Sequence, residues 1–327
     1  MLPDRKGNES APIISQKSII AVVTIVLVLS ISLLMFGFPV YNDSTMAQPH
    51  LVPVAPNHHC VNDNLSNEQK YQEWFASYEA PNPINTEYCK GVMMGKRQSQ
   101  ERGSQFEQDM FLFHNLFKYW PMNGKKGVYL DSGANAAIAL SNTYFFDVCL
   151  GWEGVCVEPE TMYHEDLKKH RSCKLVPTCL GSKEETISFA DEGVGGHQVA
   201  AGKGRTITCQ PLEKVLQDTG HGKLHVDLWS LDVEGFEMHI LESLNFDKVS
   251  ISAVLIEDFW LSQRGLDILM TKNGFLGYQK LTIDSVYVNR YFQNAAQKVF
   301  YPPNWDEYHK QNMEWAKTPG VKNKLIW

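Results

Sequence analysis

The chain has 327 residues, 43% of them hydrophobic and 20% charged, a globular composition with room for one large domain and additional segments. The formal net charge is −7 at pH 7 and the isoelectric point about 5.9. No block of Lys or Arg stands out, and these values together argue against a nucleic-acid partner.

The first element along the chain is apolar. Residues 19–40, "IIAVVTIVLVLSISLLMFGFPV", carry no charge, and at about 1.5 Å per residue a helix of that length reaches roughly 33 Å, enough for a hydrocarbon core. We read it as a retained transmembrane signal anchor. The competing reading is a cleaved signal peptide, but the following residues, "YNDSTMAQ", offer no A-x-A-like cleavage site. Arg5, Lys6 and Lys17 precede the segment, and no Lys or Arg follows until Lys70. The positive-inside rule then makes residues 1–18 a cytosolic tail and the chain a single-pass type II membrane protein. In a eukaryote its body lies in the lumen of the Golgi or ER. Asn42-Asp43-Ser44 and Asn64-Leu65-Ser66 are glycosylation sequons that suit a lumenal glycoprotein.

Residues 41–70 read as a stem, with Pro49, Pro53 and Pro56 among polar residues and no helical period. His58, His59 and Cys60 lack the spacing of a metal site and are expected in a solvated loop with one disulfide cysteine. The seven cysteines are Cys60, Cys89, Cys149, Cys156, Cys173, Cys179 and Cys209. In an oxidising lumen some pair, and the odd count leaves at least one unpaired within the chain. A strand over "KLVPT" between Cys173 and Cys179 would hold those two beyond disulfide reach.

The domain is expected over residues 71–300, with a helical lead-in, and residues 301–327 form a C-terminal extension. Ser104 and Glu107 have capping-box spacing, and Phe106, Met110, Phe113, Phe117 and Trp120 then make one apolar helical face. Pro121 and "NGKKG" end that helix. Strands and helices alternate from there. "GVYLD" (127–131) is a strand followed by a helix to about Leu150; "GVCVEP" (154–159) is a strand followed by a helix to about Arg171. "KLVPT" (174–178) is a third strand and "TISFA" (186–190) a short added one. Gly193–Gly204 is a glycine-rich loop, and "PLEKVLQDTG" a helix ending at Gly220. "VDLWSLDVEG" (226–235) is a strand running into a helix, and "SAVLIED" (252–258) a fifth strand. "GLDILMTKNG" is a helix closed by Asn273-Gly274, and "GYQKLT" and "SVYVNRY" form a terminal antiparallel pair.

This alternation predicts an α/β fold with a mostly parallel sheet and helices on both faces. Ligands bind such sheets at the carboxyl ends of the strands, near the switch point. Asp131, Glu158, Asp232 and Glu257 all fall at or just past predicted strand ends. A single one could be a helix cap or a solvated edge; four together point to a site.

The loop after "YLD" narrows the ligand. Its run is Gly133-Ala134-Asn135-Ala136-Ala137, with the first glycine of a dinucleotide loop but not the later two that admit a pyrophosphate. No P-loop Lys-Ser/Thr follows. The ligand therefore lacks phosphate at this point, and S-adenosylmethionine fits: adenosine, a cationic amino-acid arm and no phosphate. Glu158 comes 25 residues after Gly133, where an acid ending the second strand accepts bonds from ribose hydroxyls.

In "YLDSGAN" (129–135), "SNTYFF" (141–146), "GWEGVCVEP" (151–159), "LWSLDVEGFE" (228–237), "VLIED" (254–258) and "DSVYV" (284–288), the chain resembles the FkbM-type methyltransferases of class I over roughly residues 105–292. The resemblance implies a Rossmann-like seven-stranded sheet and O-methyl transfer from S-adenosylmethionine, often to sugars or small hydroxylated acceptors. It implies that Asp131, Gly133 and Asn135 hold the methionine arm, that Glu158 binds ribose, and that Leu180 and Gly181 border adenine. Asp232, Glu234 and Gly235 form the "DVEG" motif on the acceptor side. Members commonly carry Asp and Gly after "GAN", where this chain has Ala136 and Ala137.

Methyl transfer asks the protein for alignment and for a base. Asp232 is the first choice for the base, with Glu234 beside it; orienting the substrate or capping the next helix is the competing role for Asp232. His197, His225 and His239 are further candidates, and Glu257 and His197 are expected to face the substrate. A divalent ion between Asp232 and Glu257 is conceivable, but no metal-ligand spacing argues for it, and no metal is expected. The reading is a membrane-anchored, lumenal O-methyltransferase acting on glycans or another hydroxylated acceptor. The alternative, which Ala136 and Ala137 favour, is a non-catalytic lumenal binding or trafficking protein that keeps the fold. A third arrangement has the anchor inverted and the domain facing the cytosol, acting on lipids or small metabolites.

Overall fold

The computed structural model describes residues 65–96, 102–220 and 224–292. The expected cytosolic tail, anchor, both sequon asparagines, Cys60 and the C-terminal extension lie outside the described residues. Among the described residues no helix is long and apolar enough to cross a membrane.

Helix α1 (Asn67–Ala76) starts inside the segment read as stem. Its N-cap Ser66 accepts the Gln69 N–H, and the Gln69 side chain accepts the Ser66 N–H, so two otherwise orphaned donors are satisfied. Helix α2 (Thr86–Met93) buries Tyr88, Cys89 and Val92. The chain then runs through the short strand β1 (Gly103–Ser104) into α3 (Gln108–Leu112), which continues as a π-helical turn over Phe113–Phe117.

The capping box expected at Ser104 and Glu107 does not form. Ser104 is drawn into parallel pairing with Leu140 and donates its hydroxyl to Asp109, while Glu107 takes a left-handed φ of 65° ahead of the helix. The apolar face is otherwise as expected: Phe113, Phe117 and Trp120 are fully buried, and only Phe106 at its start is exposed.

Strand β2 (Val128–Ser132) is followed by a turn and the two-residue strand β3 (Ala139–Leu140), and the helix α4 covers only Tyr144–Val148. The long helix expected up to Leu150 is thus replaced by an irregular loop. Positive φ at Gly133, Asn135 and Leu140 breaks the helical path. Then come β4 (Glu153–Val157), α5 (Thr161–His170), β5 (Lys174–Val176), β6 (Glu185–Ala190), β7 (His197–Val199), β8 (Arg205–Cys209) and α6 (Leu212–Asp218). The remaining elements are β9 (His225–Leu231), α7 (Glu237–Ser243), β10 (Ser250–Glu257), α8 (Gln263–Lys272), β11 (Phe275–Lys280) and β12 (Asp284–Asn289). The expected glycine-rich loop contains β7, which pairs antiparallel with β6.

The main sheet has seven strands in the order β11-β12-β10-β9-β2-β4-β5. It is parallel except for β12, which pairs antiparallel with both β10 and β11. From β2 the chain winds first to β4 and β5, then returns to the other side as β9 and β10, so the switch point lies between β2 and β9. Strand residues alternate between two cores. Tyr129, Cys156, Leu228 and Leu255 face the aromatic core built with α2, α3 and α4. Leu130, Val155, Trp229 and Val254 face the core built with α6, α7 and α8. Both faces are therefore covered, as a parallel sheet requires. Strands β7-β6-β8 form a separate antiparallel sheet.

Three disulfides lie among the described residues: Cys89–Cys149, Cys156–Cys173 and Cys179–Cys209. Cys173 and Cys179 do not pair with each other, as expected. Cys89–Cys149 ties α2 to the end of α4 across a sequence separation of 60. Replacing both cysteines by alanine is expected to lower the unfolding free energy by about 2–4 kcal/mol, which a denaturant titration of the oxidised protein against the double variant will measure.

Candidate functional site

A cleft with about 1290 Å³ of free space, counting its open mouth, lies at the carboxyl ends of the strands. Its floor is the switch point. Asp131 is opposite Ser230 of β9 and Cys156 of β4; Glu158 follows β4, Asp232 follows β9, and Glu257 ends β10. The four acids read from the sequence thus share one end of the sheet.

Gly133 sets the loop geometry. Its φ is +78°, and a Cβ there would stand 1.8 Å from the carbonyl oxygen of Asp232, so only glycine lets the loop close onto the end of β9. Asn135 follows with φ +49°, and its amide N–H donates to Glu158 Oε2 at 2.6 Å. The Glu160 N–H donates to Glu158 Oε1 at 2.6 Å. Burial nonetheless pushes the Glu158 carboxyl up to about 7, because the two N–H donors only partly offset desolvation.

Asp131 lies deeper. It accepts the Thr143 hydroxyl at 2.5 Å, and Arg171 stands 3.5 Å away. Arg171 also bonds Asp147 at 2.8 Å, Ser141 Oγ at 3.0 Å and the Ala137 carbonyl at 3.3 Å. Asp131 lines the cleft while anchored in this network. Ala136 and Ala137 do not line it: the Ala136 N–H goes to Asn135 Oδ1 and the Ala137 N–H to Asp166.

On the β4/β5 side, Leu180 and Gly181 line the cleft beside the Cys179–Cys209 disulfide. The smaller sheet forms the adjoining wall with Ile187, Phe189 and His197. That wall is pinned at Glu160, which accepts the N–H groups of Glu192 and Gly193 at 3.0 Å each.

The opposite end is acidic. Asp232, Glu234 and Asp284 line it. Glu257 does not line the cleft itself; it reaches it through Asp232, with which it shares a hydrogen bond. Burial and the neighbouring Glu257 charge hold the Asp232 carboxyl well above the usual range. Burial, then Glu234 and Glu237, pushes Glu257 up to about 7, so the pair holds a proton at neutral pH. Glu237 is the third acid with oxygens within 4.8 Å of the other two. It is half committed, since its Oε1 accepts the Val233 N–H at 2.9 Å and the Gly235 N–H at 3.2 Å. Asp284 accepts the Gln108 amide at 2.8 Å, and burial pushes it up to about 6.

His197 and His239 line the cleft. His225 does not: it opens β9 at the far end of the strand and bonds Ser250 and Asp227. Sequence reasoning did not single out Asn142, Ser230, Gln105 or Gln108, all of which line the cleft. Gln105 and Asn142 occupy irregular segments where no period marks an inward face, and Gln108 opens α3 outside the apolar face read from the sequence.

No Lys or Arg lines the cleft among the described residues, so a phosphate-bearing ligand would meet several carboxyls and no permanently charged cation. A nucleoside with a cationic arm suits the same donor set. The glycine cradle at Gly133 and the acid at Glu158 fit S-adenosylmethionine in this respect.

Residues 131–276 match the family model of the methyltransferase FkbM domain. A comparison with curated proteins finds no significant match. Among solved structures, the chain is similar to a precorrin-6y C5,15-methyltransferase from Geobacter metallireducens, at 13% identity and a TM-score of 0.28, over 50% of this chain and 78% of that one. A likeness that low carries no argument about fold or function. Gln105, Gln108 and Asp284, which also line the cleft, lie outside the matched region.

Two substitutions test this geometry. Gly133→Ala combines a left-handed φ with a backbone clash and is expected to cost about 2–5 kcal/mol in a denaturant titration. Glu257 has a folded pKa above its unfolded value, so the fold binds the extra proton and loses stability as pH rises from about 4.5 through about 7. Glu257→Gln removes that loss. Discounted for solvent screening, it is expected to raise Tm by about 2–4 °C at pH 8 and to give no gain at pH 4, measured by scanning calorimetry.

Proposed function

We propose that the methyltransferase FkbM domain carried by residues 131–276 is an S-adenosylmethionine-dependent O-methyltransferase acting on a hydroxylated acceptor such as a glycan. The observation that carries the reading is the pairing of Gly133 with Glu158: one glycine closes the loop, one buried carboxylate holds its amide, and no cation stands ready for phosphate. When bound, the cofactor supplies a methyl group already activated on a sulfonium. The chain's task is then to hold, align and deprotonate.

Glu158 is placed to accept the ribose hydroxyls, since each of its oxygens keeps a lone pair beyond the backbone N–H it takes. Leu180 and Gly181 offer the adenine an apolar edge, held rigid by Cys179–Cys209. The acceptor hydroxyl lies against Asp232. With S-adenosylmethionine bound, that oxygen would take the methyl carbon as the carbon–sulfur electron pair passes to sulfur, and the Asp232–Glu257 pair would take the hydroxyl proton. Burial raises both carboxyls of the pair and makes it a stronger base. Glu234 and His197 face the same end and border the acceptor.

For the setting, we infer a type II anchor over residues 19–40 and a domain in the Golgi or ER lumen. Three disulfides in one domain support an oxidising compartment. The non-catalytic alternative draws on Ala136 and Ala137, which lie outside the cleft lining.

Calorimetric titration of the purified full-length protein tests the reading. S-adenosylmethionine is expected to bind saturably, ATP not at all. Glu158→Ala is expected to raise the S-adenosylmethionine Kd by at least about 10-fold, the loss of one charge-assisted hydrogen bond. A folded wild type that binds no S-adenosylmethionine would overturn the enzyme reading.

A further inference from the structure

Three carboxyls stand in one row across the acidic end of the cleft. Glu257 of β10 and Asp284 of β12 are register partners in the antiparallel pair, so their side chains share a face of the sheet. Asp232 comes next after Leu231, the register partner of Ile256, and shares a hydrogen bond with Glu257. Like charges set opposite each other are destabilising. Asp232 and Glu257 relieve this between themselves through that bond; Asp284 stands outside it. No member of the row has an ion-pair partner among the described residues. The neighbouring acid shows the contrast: Asp258, one residue past Glu257, is paired with Lys280 and accepts the Ser285 hydroxyl at 2.6 Å.

Asp284 has an oxygen left to give. The residue is 2% exposed and lines the cleft. Its Oδ2 accepts the Gln108 amide at 2.8 Å, and Gln108 is itself fixed, because its Oε1 accepts the Phe106 N–H at 2.7 Å. The other oxygen, Oδ1, accepts no hydrogen bond from a described residue and, unlike the carbonyl oxygen of Asn142, is not closed to solvent. In a residue so deeply buried, that opening is onto the cleft, and the oxygen is an acceptor that a ligand can satisfy. Burial pushes the group up to about 6, so at pH 7 it is mostly ionised and bonds a cation more strongly than a neutral hydroxyl. The cofactor does not supply that cation. On the reading above it lies along β2 and β4, and β12 is three strand spacings from β2, about 14 Å. The positive charge has to come on the acceptor.

We propose that Asp284 Oδ1 receives a protonated amine on the acceptor, and that the acceptor is an amino sugar or a comparable hydroxylated amine whose reacting hydroxyl lies against Asp232. The inference rests on the O-methyltransferase reading of the cleft and adds the charge of its substrate. The spacing constrains the molecule. One strand, β10, separates the strand of Asp284 from the one that Asp232 follows, two spacings of about 4.8 Å. The side chains close part of that gap, so the amine and the hydroxyl sit across a sugar-sized ring and not on adjacent carbons. An N-acetylated sugar would offer the same oxygen only an uncharged amide, and is discriminated against. Asp284 and the Gln108 that orients it both lie outside the residues matched to the family model.

The test is calorimetric, on the full-length protein saturated with S-adenosylhomocysteine. The probes are glucose, N-acetylglucosamine, and glucosamine with its 3-amino and 6-amino isomers. The wild type is expected to bind at least one amino sugar about 10-fold more tightly than glucose or N-acetylglucosamine. Asp284→Asn keeps the shape and an acceptor for Gln108. It is expected to abolish that preference and to leave the S-adenosylhomocysteine Kd within about 2-fold. No amino-sugar preference in the wild type, or a preference that survives Asp284→Asn, would overturn the proposal and leave the cofactor site standing. Tighter binding of all the sugars alike on addition of Mg²⁺ would place a metal ion on the row, also against the proposal. A folded wild type that binds no S-adenosylhomocysteine would overturn both readings. If Asp284→Asn fails to fold, carbodiimide coupling of the tightest amino sugar to the wild type decides, since it joins an amine to the carboxyl it touches. An adduct mapped to Asp284 is expected; adducts confined to other carboxyls would overturn the assignment.

Discussion

The guanidinium of Arg171 joins four segments that would otherwise have no reason to meet. It leaves the end of α5 and, fully buried, reaches Asp147 in α4, Asp131 at the end of β2, Ser141 and Thr143 in the intervening loop, and the Ala137 carbonyl. Five donors in a fixed fork suit such a junction better than the single ammonium of lysine. A buried cation of this kind is stable because each of its three nitrogens has a hydrogen-bond partner and two carboxyls, Asp131 and Asp147, flank it; loss of both would leave an uncompensated charge at a cost of about 3–5 kcal/mol. Its structural effect is local and specific. The loop from Gly133 to Thr143 has no regular hydrogen-bonding pattern of its own, and Arg171 holds its far end while Gly133 and Asn135 fix its near end.

That junction also explains the electrostatics of the cleft. Arg171 is spent beneath the floor, on Asp147 and Asp131, so its charge does not reach a ligand. What faces the cleft is a set of carboxyls with raised pKa values: Glu158 near 7, Asp284 near 6, and Asp232, with Glu257 behind it. Burial is the first cause in each. A cationic ligand would favour the ionised forms and draw these values down, so binding of a sulfonium cofactor and deprotonation of the acceptor-side acids are linked. The fold thus makes these carboxyls easier to protonate than free ones, an effect that a bound cation would oppose.

Much of this was legible in the sequence, and the parts that were not share a cause. The strands were readable because buried parallel strands are short apolar runs, and the acids at their ends stand out against such runs. "GVYLD", "GVCVEP", "VDLWSLD" and "SAVLIED" fall close to β2, β4, β9 and β10. The helix drawn from Gly133 to Leu150 was wrong because Ala134, Ala136, Ala137 and Ala139 have high helix propensity, while the competing constraint, a guanidinium from residue 171 bonding the Ala137 carbonyl, is tertiary. The same holds for the capping box at Ser104. Its spacing was right, but pairing with Leu140 took the serine away. Asn142 was legible only as part of "SNTYFF", with no role of its own, because its burial depends on Ser230, 88 positions later. The disulfide pairings were likewise hidden, since cysteine counts do not give connectivity.

The close approach of Gly133 to the Asp232 carbonyl couples the two halves of the site. The glycine loop follows β2, and Asp232 belongs to the turn after β9. These segments touch backbone to backbone: the Asp232 N–H donates to the Ser132 carbonyl at 3.1 Å, and the Asp232 carbonyl fills the space where a Gly133 side chain would stand. The turn beyond is strained, with Glu234 at φ +54° and Gly235 at φ +95°, and Glu237 holds it by accepting two of its N–H groups. A base must sit within a fraction of an ångström of its working position to be useful. Here that precision comes from sheet backbone, not from side-chain packing. One glycine therefore does two tasks in this chain: it turns the loop after β2, and it lets that loop close against the backbone of Asp232.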